Sequence, residues 1–274
     1  MAALSAIKWV GGKRQLFKTL DSVFPHTIKN FIEPFGGSLS VSLHVLTTCD
    51  VGTIHVADIN TRLINFYEQI REDVDSVIDL LRNSIAADDY YAARHAFNST
   101  TDMVESAALF FYINKSCYNG LYRVNLKGGF NVPKGRNNIN WDNQIEHLRE
   151  FATNIRSSKL HLYNMGYDSF MEQFTFSEGD LVYADPPYWE TFVAYDGHGF
   201  KQADQEKLYD ICSKANCTVV CSNSNTDFIK DLYSPTFSVE EVNATRSINS
   251  DKTKRGKAKV EVIMKKMYEN NIGS

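Results

Sequence analysis

The chain has 274 residues, 43% of them hydrophobic and 23% charged, with a net charge of −4; this is the make-up of an ordinary soluble globular protein, one large domain or one domain with an insertion. No stretch approaches the ~18 apolar residues that cross a bilayer, and Met1 to Gly12 lacks a signal peptide's basic start and longer apolar core, so a cytoplasmic location is expected. Five cysteines (Cys49, Cys117, Cys212, Cys217, Cys221) form no Cys-x-x-Cys pair, which argues against a metal site and for free, mostly buried thiols in a reducing compartment.

From the start of the chain, Lys8-Trp9-Val10-Gly11-Gly12-Lys13 is Gly-rich but lacks the spacing of a triphosphate-binding loop. Asn30 to Phe35 reads as a first strand, broken by Gly36-Gly37-Ser38, and Leu39 to Leu46 as the start of a helix. Thr53 to Ile59 is a second strand containing Asp58. Thr61 is then expected to cap a helix whose Leu63, Ile64, Phe66, Tyr67 and Ile70 fit helical spacing. From Val74 to Lys115 the pattern stays helical. Tyr118 to Asn137 changes character, and its glycines, asparagines and basic residues predict a hairpin-like excursion around Lys127-Gly128-Gly129. Trp141 to Ile155 returns to helix, followed by a strand at Lys159 to Tyr163 and a short helix at Asp168 to Phe174. The apolar run Leu181 to Ala184 is a buried strand that Asp185-Pro186-Pro187-Tyr188 ends abruptly. Helices at Gln202 to Ala215 and Thr226 to Leu232 flank a strand at Thr218 to Cys221; Phe237 to Val242 and Lys259 to Met264 are closing strands.

Strands alternating with helices at both ends imply a parallel α/β sheet covered on both faces, with the helical, basic middle as an inserted subdomain. Basic residues gather in three places despite the acidic total: Lys8 to Lys18, Lys115 to Arg136 and Arg246 to Lys259. That distribution suggests a basic face for a polyanion.

Two constellations carry chemistry. Strand, Gly36-Gly37 turn, helix, strand and Asp58 form one unit, with the glycines bringing backbone N–H groups near a ligand. Asp58 lies at about the ~20-residue interval where nucleoside-binding folds place a ribose-binding acid. The unit alone fits NAD or S-adenosylmethionine, although the missing Gly-x-Gly-x-x-Gly counts against a pyrophosphate. The second is the Asp185 turn, at the carboxyl end of a strand where α/β sheets bind ligands. It presents a carboxylate, backbone carbonyls without competing N–H partners nearby, and the Tyr188 ring, a set suited to a flat, amine-bearing nucleobase.

Taken with Glu33-Pro34-Phe35-Gly36-Gly37, Ala57-Asp58-Ile59-Asn60, Tyr118-Asn119-Gly120-Leu121-Tyr122-Arg123 and Gly129-Phe130-Asn131-Val132-Pro133, the Lys8–Lys13 and Asp185–Tyr188 segments resemble the DNA adenine methyltransferase (Dam) family of the alpha group of amino-methyltransferases. The resemblance runs nearly the whole chain in the family's order. It implies a Rossmann-like S-adenosylmethionine-binding domain at 1–61 and 146–274, and a mostly helical target-recognition subdomain at 62–145. Trp9, Lys13, Asp58 and Asp185, with Phe35, Gly36 and Gly37 of the glycine motif, match its cofactor contacts. Lys8, Leu121, Arg123 and Pro133 match positions that read the bases of double-stranded GATC. Tyr118 and Asn119 match residues that enter the duplex beside the flipped adenine, and Arg136 and Arg246-Ser247 match backbone contacts. The family's Phe-x-Gly-x-Gly carries Leu39 in place of its last glycine here, a departure shared with phage members that bears on cofactor affinity more than on activity.

Asp185, Pro186 and Tyr188 are then the expected catalytic residues. The carboxylate and the Pro186 carbonyl accept the amino hydrogens of adenine, and the ring stacks on the extruded base. Arg123 suits a guanine edge, whereas Lys127, Lys134 and the Lys252–Lys259 cluster suit phosphates. Glu190 and His198 lie in a loop after the catalytic turn that could close over the site. No metal and no obligate protein partner is expected. The competing readings are an amino-methyltransferase for another target, a DNA-binding module without catalysis, and an NAD-linked oxidoreductase.

Overall fold

In the computed structural model the residues described are 5–136, 138–189, 199–245 and 258–268. Glu190, His198, Arg246, Ser247 and the side chains of Lys252 to Lys259 lie outside what is described. Seven strands form one sheet: β1 (Thr27–Glu33), β2 (Asp50–Ala57), β3 (Leu160–Tyr163), β4 (Leu181–Ala184), β5 (Thr218–Ser224), β6 (Ser238–Thr245) and β7 (Ala258–Lys266). Their order is β3-β2-β1-β4-β5-β7-β6. The first five are parallel, and β7 enters antiparallel between β5 and β6.

Strand alternation sends successive side chains to opposite faces, and each face has its own core. Phe31, Leu181, Tyr183 and Val220 join one apolar cluster, while their neighbours Ile32, Val182, Ala184, Val219 and Cys221 join another. Helices α1 (Phe17–Val23), α2 (Ser40–Thr48), α3 (Thr61–Ala87), α5 (Met103–Ser116) and α6 (Trp141–Ile155) contribute to the first. Helices α7 (Tyr167–Met171), α8 (Gln202–Lys214) and α9 (Asp227–Tyr233) contribute to the second. A mostly parallel sheet wound on both faces is a Rossmann-like α/β fold. The strand order reverses between β1 and β4, which creates the crevice where such sheets bind ligands.

The middle section is more segmented than its helical pattern suggests. Asp88, left-handed at φ 45°, ends α3, and the Asp89 side chain caps α4 (Tyr90–Ser99) by accepting from Tyr91 and Ala92 N–H. Asp102 caps α5 in the same way. Short polar side chains compete for backbone donors, and here they cut one helical run into three. The cap of α3 is Asn60 rather than Thr61: its side chain accepts from Leu63 N–H at 3.1 Å. The stretch Arg14 to Val23, a 3₁₀ turn running into α1, was not anticipated.

The expected hairpin is present but minimal, with bridges Cys117–Lys134 and Val124–Phe130. It is fastened to one face of α4, where Tyr90 Oη donates to Val132 O (2.7 Å) and Asn98 exchanges two hydrogen bonds with Phe130. All five cysteines are free and four are buried. Among the described residues no helix is long and apolar enough to cross a membrane.

Candidate active site

β4 ends at Ala184, and the next four residues turn across the crevice. Ser222 Oγ, from the end of β5, donates to Asp185 Oδ1 at 2.6 Å. Gln205 of α8 donates to the Pro187 carbonyl at 3.0 Å, and Tyr188 Oη donates to Glu261 Oε2 of β7 at 2.8 Å. The next residue is held at both backbone atoms, its N–H by Asn223 Oδ1 and its carbonyl by Ser224 Oγ. The turn therefore does not leave all its carbonyls open, as its prolines alone suggest. Pro187's is occupied, and Pro186's has no hydrogen-bond partner among the described residues.

Lys13 crosses to this turn from the opposite wall. Its ammonium lies 2.8 Å from Asp185 Oδ2, 2.8 Å from the Gly11 carbonyl and 4.8 Å from the centroid of the Tyr188 ring. Lys13 is buried, and the pair replaces hydration with a direct charge-assisted contact. Burial, with the Asp185 and Glu261 carboxylates nearby, drives the Tyr188 phenol's pKa well up, so the hydroxyl remains a donor.

The glycine turn after β1 behaves differently from expectation. Gly36 N–H bonds Ala57 O (2.7 Å) and Gly37 N–H bonds Asp58 Oδ2 (3.0 Å), so both donors are consumed within the protein. Their glycine identity serves close packing instead. A Cβ on Gly36 would lie 2.3 Å from Val56, and one on Gly37, at φ 46°, would lie 3.0 Å from the Trp9 ring. Tyr67 Oη holds the Gly37 carbonyl at 2.6 Å. Asp58 also accepts from Asn60 N–H at 2.8 Å. Each carboxylate oxygen thus spends one lone pair on the loop and retains another. Burial raises the Asp58 pKa, and these two backbone bonds oppose the shift. Leu39, the residue in place of the family's glycine, is left-handed at φ 58° with its side chain fully buried.

Phe35 stacks on Tyr167 with centroids 5.3 Å apart and meets Phe200 edge-on. Glu33, at the end of β1, is buried against the Ser42 hydroxyl. Desolvation, offset in part by the Ser42 bond and reinforced by Asp185 and Asp58, pushes its pKa up to about 8, so it is neutral at pH 7.

Lys8 joins this crevice to the hairpin. Its backbone forms a reciprocal pair with Asn114 (Lys8 N–H to Oδ1 2.9 Å, Nδ2–H to Lys8 O 2.8 Å), and Gly120 packs under its side chain. Tyr118 N–H donates to Pro133 O at 2.9 Å, and Asn119 and Gly120 are both left-handed. Leu121 is half-buried, whereas Pro133 and Arg123 are exposed; Arg123 Nε is held by Asn131 Oδ1 at 2.7 Å. Lys8 and Arg136 line a cleft of about 520 Å³ with Lys115 and Gln144. Burial, and then the Lys8 charge, push the Lys115 pKa down to about 8.

Trp9, Lys13, Gly37, Asp58, Asp185 and Tyr188 thus meet around one crevice, while Arg123, Pro133 and Arg136 lie on or beside the hairpin. The supporting residues Ser222, Gln205, Asn223 and Glu261 were missed. The one visible signal was a lone acid, Glu261, inside the otherwise apolar run Val260 to Met264.

A family model for the D12 class N6 adenine-specific DNA methyltransferase matches residues 9–248. The chain is 34% identical to the type II methyltransferase M.MjaIII of Methanocaldococcus jannaschii, over 91% of this chain and 95% of that protein. It is 33% identical to the DNA adenine methylase of Haemophilus influenzae, over 92% and 90% of the two chains. With the DNA adenine methylase of Serratia marcescens the identity is 34%, over 83% and 86%.

Proposed function

From the premise that this chain belongs to the D12 class N6 adenine-specific DNA methyltransferases, we propose that it methylates adenine N6 within GATC in double-stranded DNA, using S-adenosylmethionine, on a base extruded from the duplex. The observation that carries this reading is the position of the Lys13 ammonium. It is an N–H donor seated on Asp185 Oδ2 and over the Tyr188 ring at once. An exocyclic amine on a stacked nucleobase offers the same two features.

The crevice suits S-adenosylmethionine. A Cβ at Gly37 would fill the space beside Trp9, so the loop and the indole form a cradle. Trp9, Lys13, Phe35, Gly36, Gly37, Asp58 and Asp185 would hold the molecule, with the spare lone pairs of Asp58 for a ribose diol. When bound it supplies an electrophilic methyl group on a sulfonium.

The protein's part is orientation. Asp185 Oδ2 accepts one amino hydrogen once Lys13 yields it, and the Pro186 carbonyl, unpartnered among the described residues, accepts the other. Together they turn the nitrogen lone pair out of conjugation with the ring. The carboxylate favours the positive charge that grows on that nitrogen and is placed to receive the proton it sheds. Tyr188 stacks on the base and offsets the few kcal/mol lost on unstacking. We assign recognition to residues 62–145 together with Lys8. Arg123 reads a guanine edge, Leu121 and Pro133 contact thymine, Tyr118 and Asn119 fill the space the adenine vacates, and Arg136 binds phosphate.

The test is labelled-methyl transfer from S-adenosylmethionine to a GATC duplex and to one with the site scrambled. Label should enter the first alone, as N6-methyladenine, and vanish with Asp185→Ala. Equal labelling of both duplexes would refute the site assignment, and labelling of neither would refute the reaction.

A further inference from the structure

We propose that Glu261 is a positioning residue for methyl transfer, which anchors the Tyr188 ring by its hydroxyl so that the ring keeps its place beside the crevice; this rests on the reading that Tyr188 stacks on the extruded adenine. Tyr188 is 9% exposed and Glu261 6%, and the bond between them is 2.8 Å. The hydroxyl edge of the ring is thereby tied back into the sheet, while Lys13 marks the face turned to the crevice.

Glu261 occupies an improbable place for a carboxylate. It stands on β7, paired in register with Ser224 of β5 on one side and Val242 of β6 on the other. Val262, Ile263 and Met264 follow it into the two cores. A buried carboxylate is costly unless it is hydrogen-bonded, and an apolar pair, phenylalanine against leucine or valine, would fill such a position without that cost. Departures from simple packing of this kind concentrate where geometry serves function.

The rest of the turn is held through other groups. Ser222 takes the Asp185 carboxylate, Gln205 the Pro187 carbonyl, and Asn223 and Ser224 the backbone of the next residue. These contacts fix the turn's backbone and its carboxylate, while Glu261 takes the Tyr188 hydroxyl. That oxygen lies on the line from Cβ through the ring, so a bond to it fixes the direction of this axis and with it the place of the ring beside the crevice. Stacking transmits that placement to the base and so to its amino nitrogen, where a misplacement of about 1 Å costs on the order of 100-fold in rate.

A double-mutant cycle on single-turnover methylation of the GATC duplex tests this. It is read alongside the emission of 2-aminopurine at the target position, which stacking quenches. Glu261→Ala should lower the transfer rate roughly 10- to 100-fold and brighten the bound 2-aminopurine, with the dissociation constant for S-adenosylmethionine unchanged. Glu261→Gln, which keeps an acceptor oxygen, should restore most of the rate. In a Tyr188→Phe background, where no hydroxyl remains to be held, Glu261→Ala should cost less than about twofold. An equal loss in both backgrounds, or a Gln variant as impaired as Ala, would overturn the proposal. A Tyr188→Ala enzyme as fast as the unaltered one would instead overturn the stacking role on which it rests. Normal Tyr188 dependence without any Glu261 effect would sink the positioning role alone.

Discussion

Leu39 offers a test in which the usual order of two substitutions should invert. Its backbone is left-handed, at φ 58° and ψ 15°, and its side chain is fully buried beneath the glycine turn. An L-residue in that conformation carries about 1–2 kcal/mol of strain. Truncating a buried leucine to alanine costs about 2–5 kcal/mol and leaves the strain in place. Glycine loses the same packing and adds about 0.5–1 kcal/mol of chain entropy, but it relieves the strain. The two variants should therefore both be destabilised, with Leu39→Gly the more stable by roughly 0.5–1 kcal/mol, the difference of those two terms. In the interior of an ordinary helix glycine would be the worse choice by about the same 0.5–1 kcal/mol. Thermal melts can resolve this, since each kcal/mol moves the midpoint by about 2–4 °C in a chain approaching this size. An alanine variant as stable as the glycine variant, or more so, would refute the claim that strain is held at this residue.

Glu33 should make stability fall with pH. Its folded pKa of about 8 lies above the value of 4.5 it would have in the open chain, so its contribution is complete below pH 4.5 and is lost as pH rises through 8. Glu33→Gln should flatten that slope in urea titrations run from pH 5 to 9. Lys115, with a pKa near 8, should make DNA affinity weaken above that pH, by at most one proton per complex. Lys115→Arg, which stays charged, should remove the dependence in anisotropy titrations at fixed salt. Tyr67→Phe leaves the half-buried Gly37 carbonyl without this donor; the expected loss is about 0.5–1.5 kcal/mol in denaturation, with weaker S-adenosylmethionine binding by calorimetry.

How much of this was legible in the sequence depended on the range of the interactions involved. The strand Leu181–Ala184 was read to the residue, because an apolar run between Gly179-Asp180 and two prolines has only one reading. Crevice residues close to a strand end, Asp58 and Asp185, could be placed for the same reason. The α1 region was passed over because its seven residues follow a 3₁₀ turn and carry no side-chain cap. The Gly36 and Gly37 N–H groups were assigned to a ligand because glycine signals a close approach without saying what approaches. Here it is Val56 and Trp9. Ser222 left no trace in the sequence, and Glu261 only that of an acid in an apolar run, for a different reason: each acts on a residue tens of positions away, Ser222 through the pairing of β4 with β5 and Glu261 once β5 and β7 are side by side.

That pairing also has a consequence during synthesis. β7 is the last strand of the sheet to be made, yet it lies inside it, between two strands that precede it. While the ribosome is still short of Lys266, β5 and β6 have no neighbour to join them. Tyr188 then lacks its Glu261 partner, although every residue proposed to contact DNA up to Arg136 has already been made. The order of the chain thus completes the proposed transfer site only after the residues proposed to contact DNA.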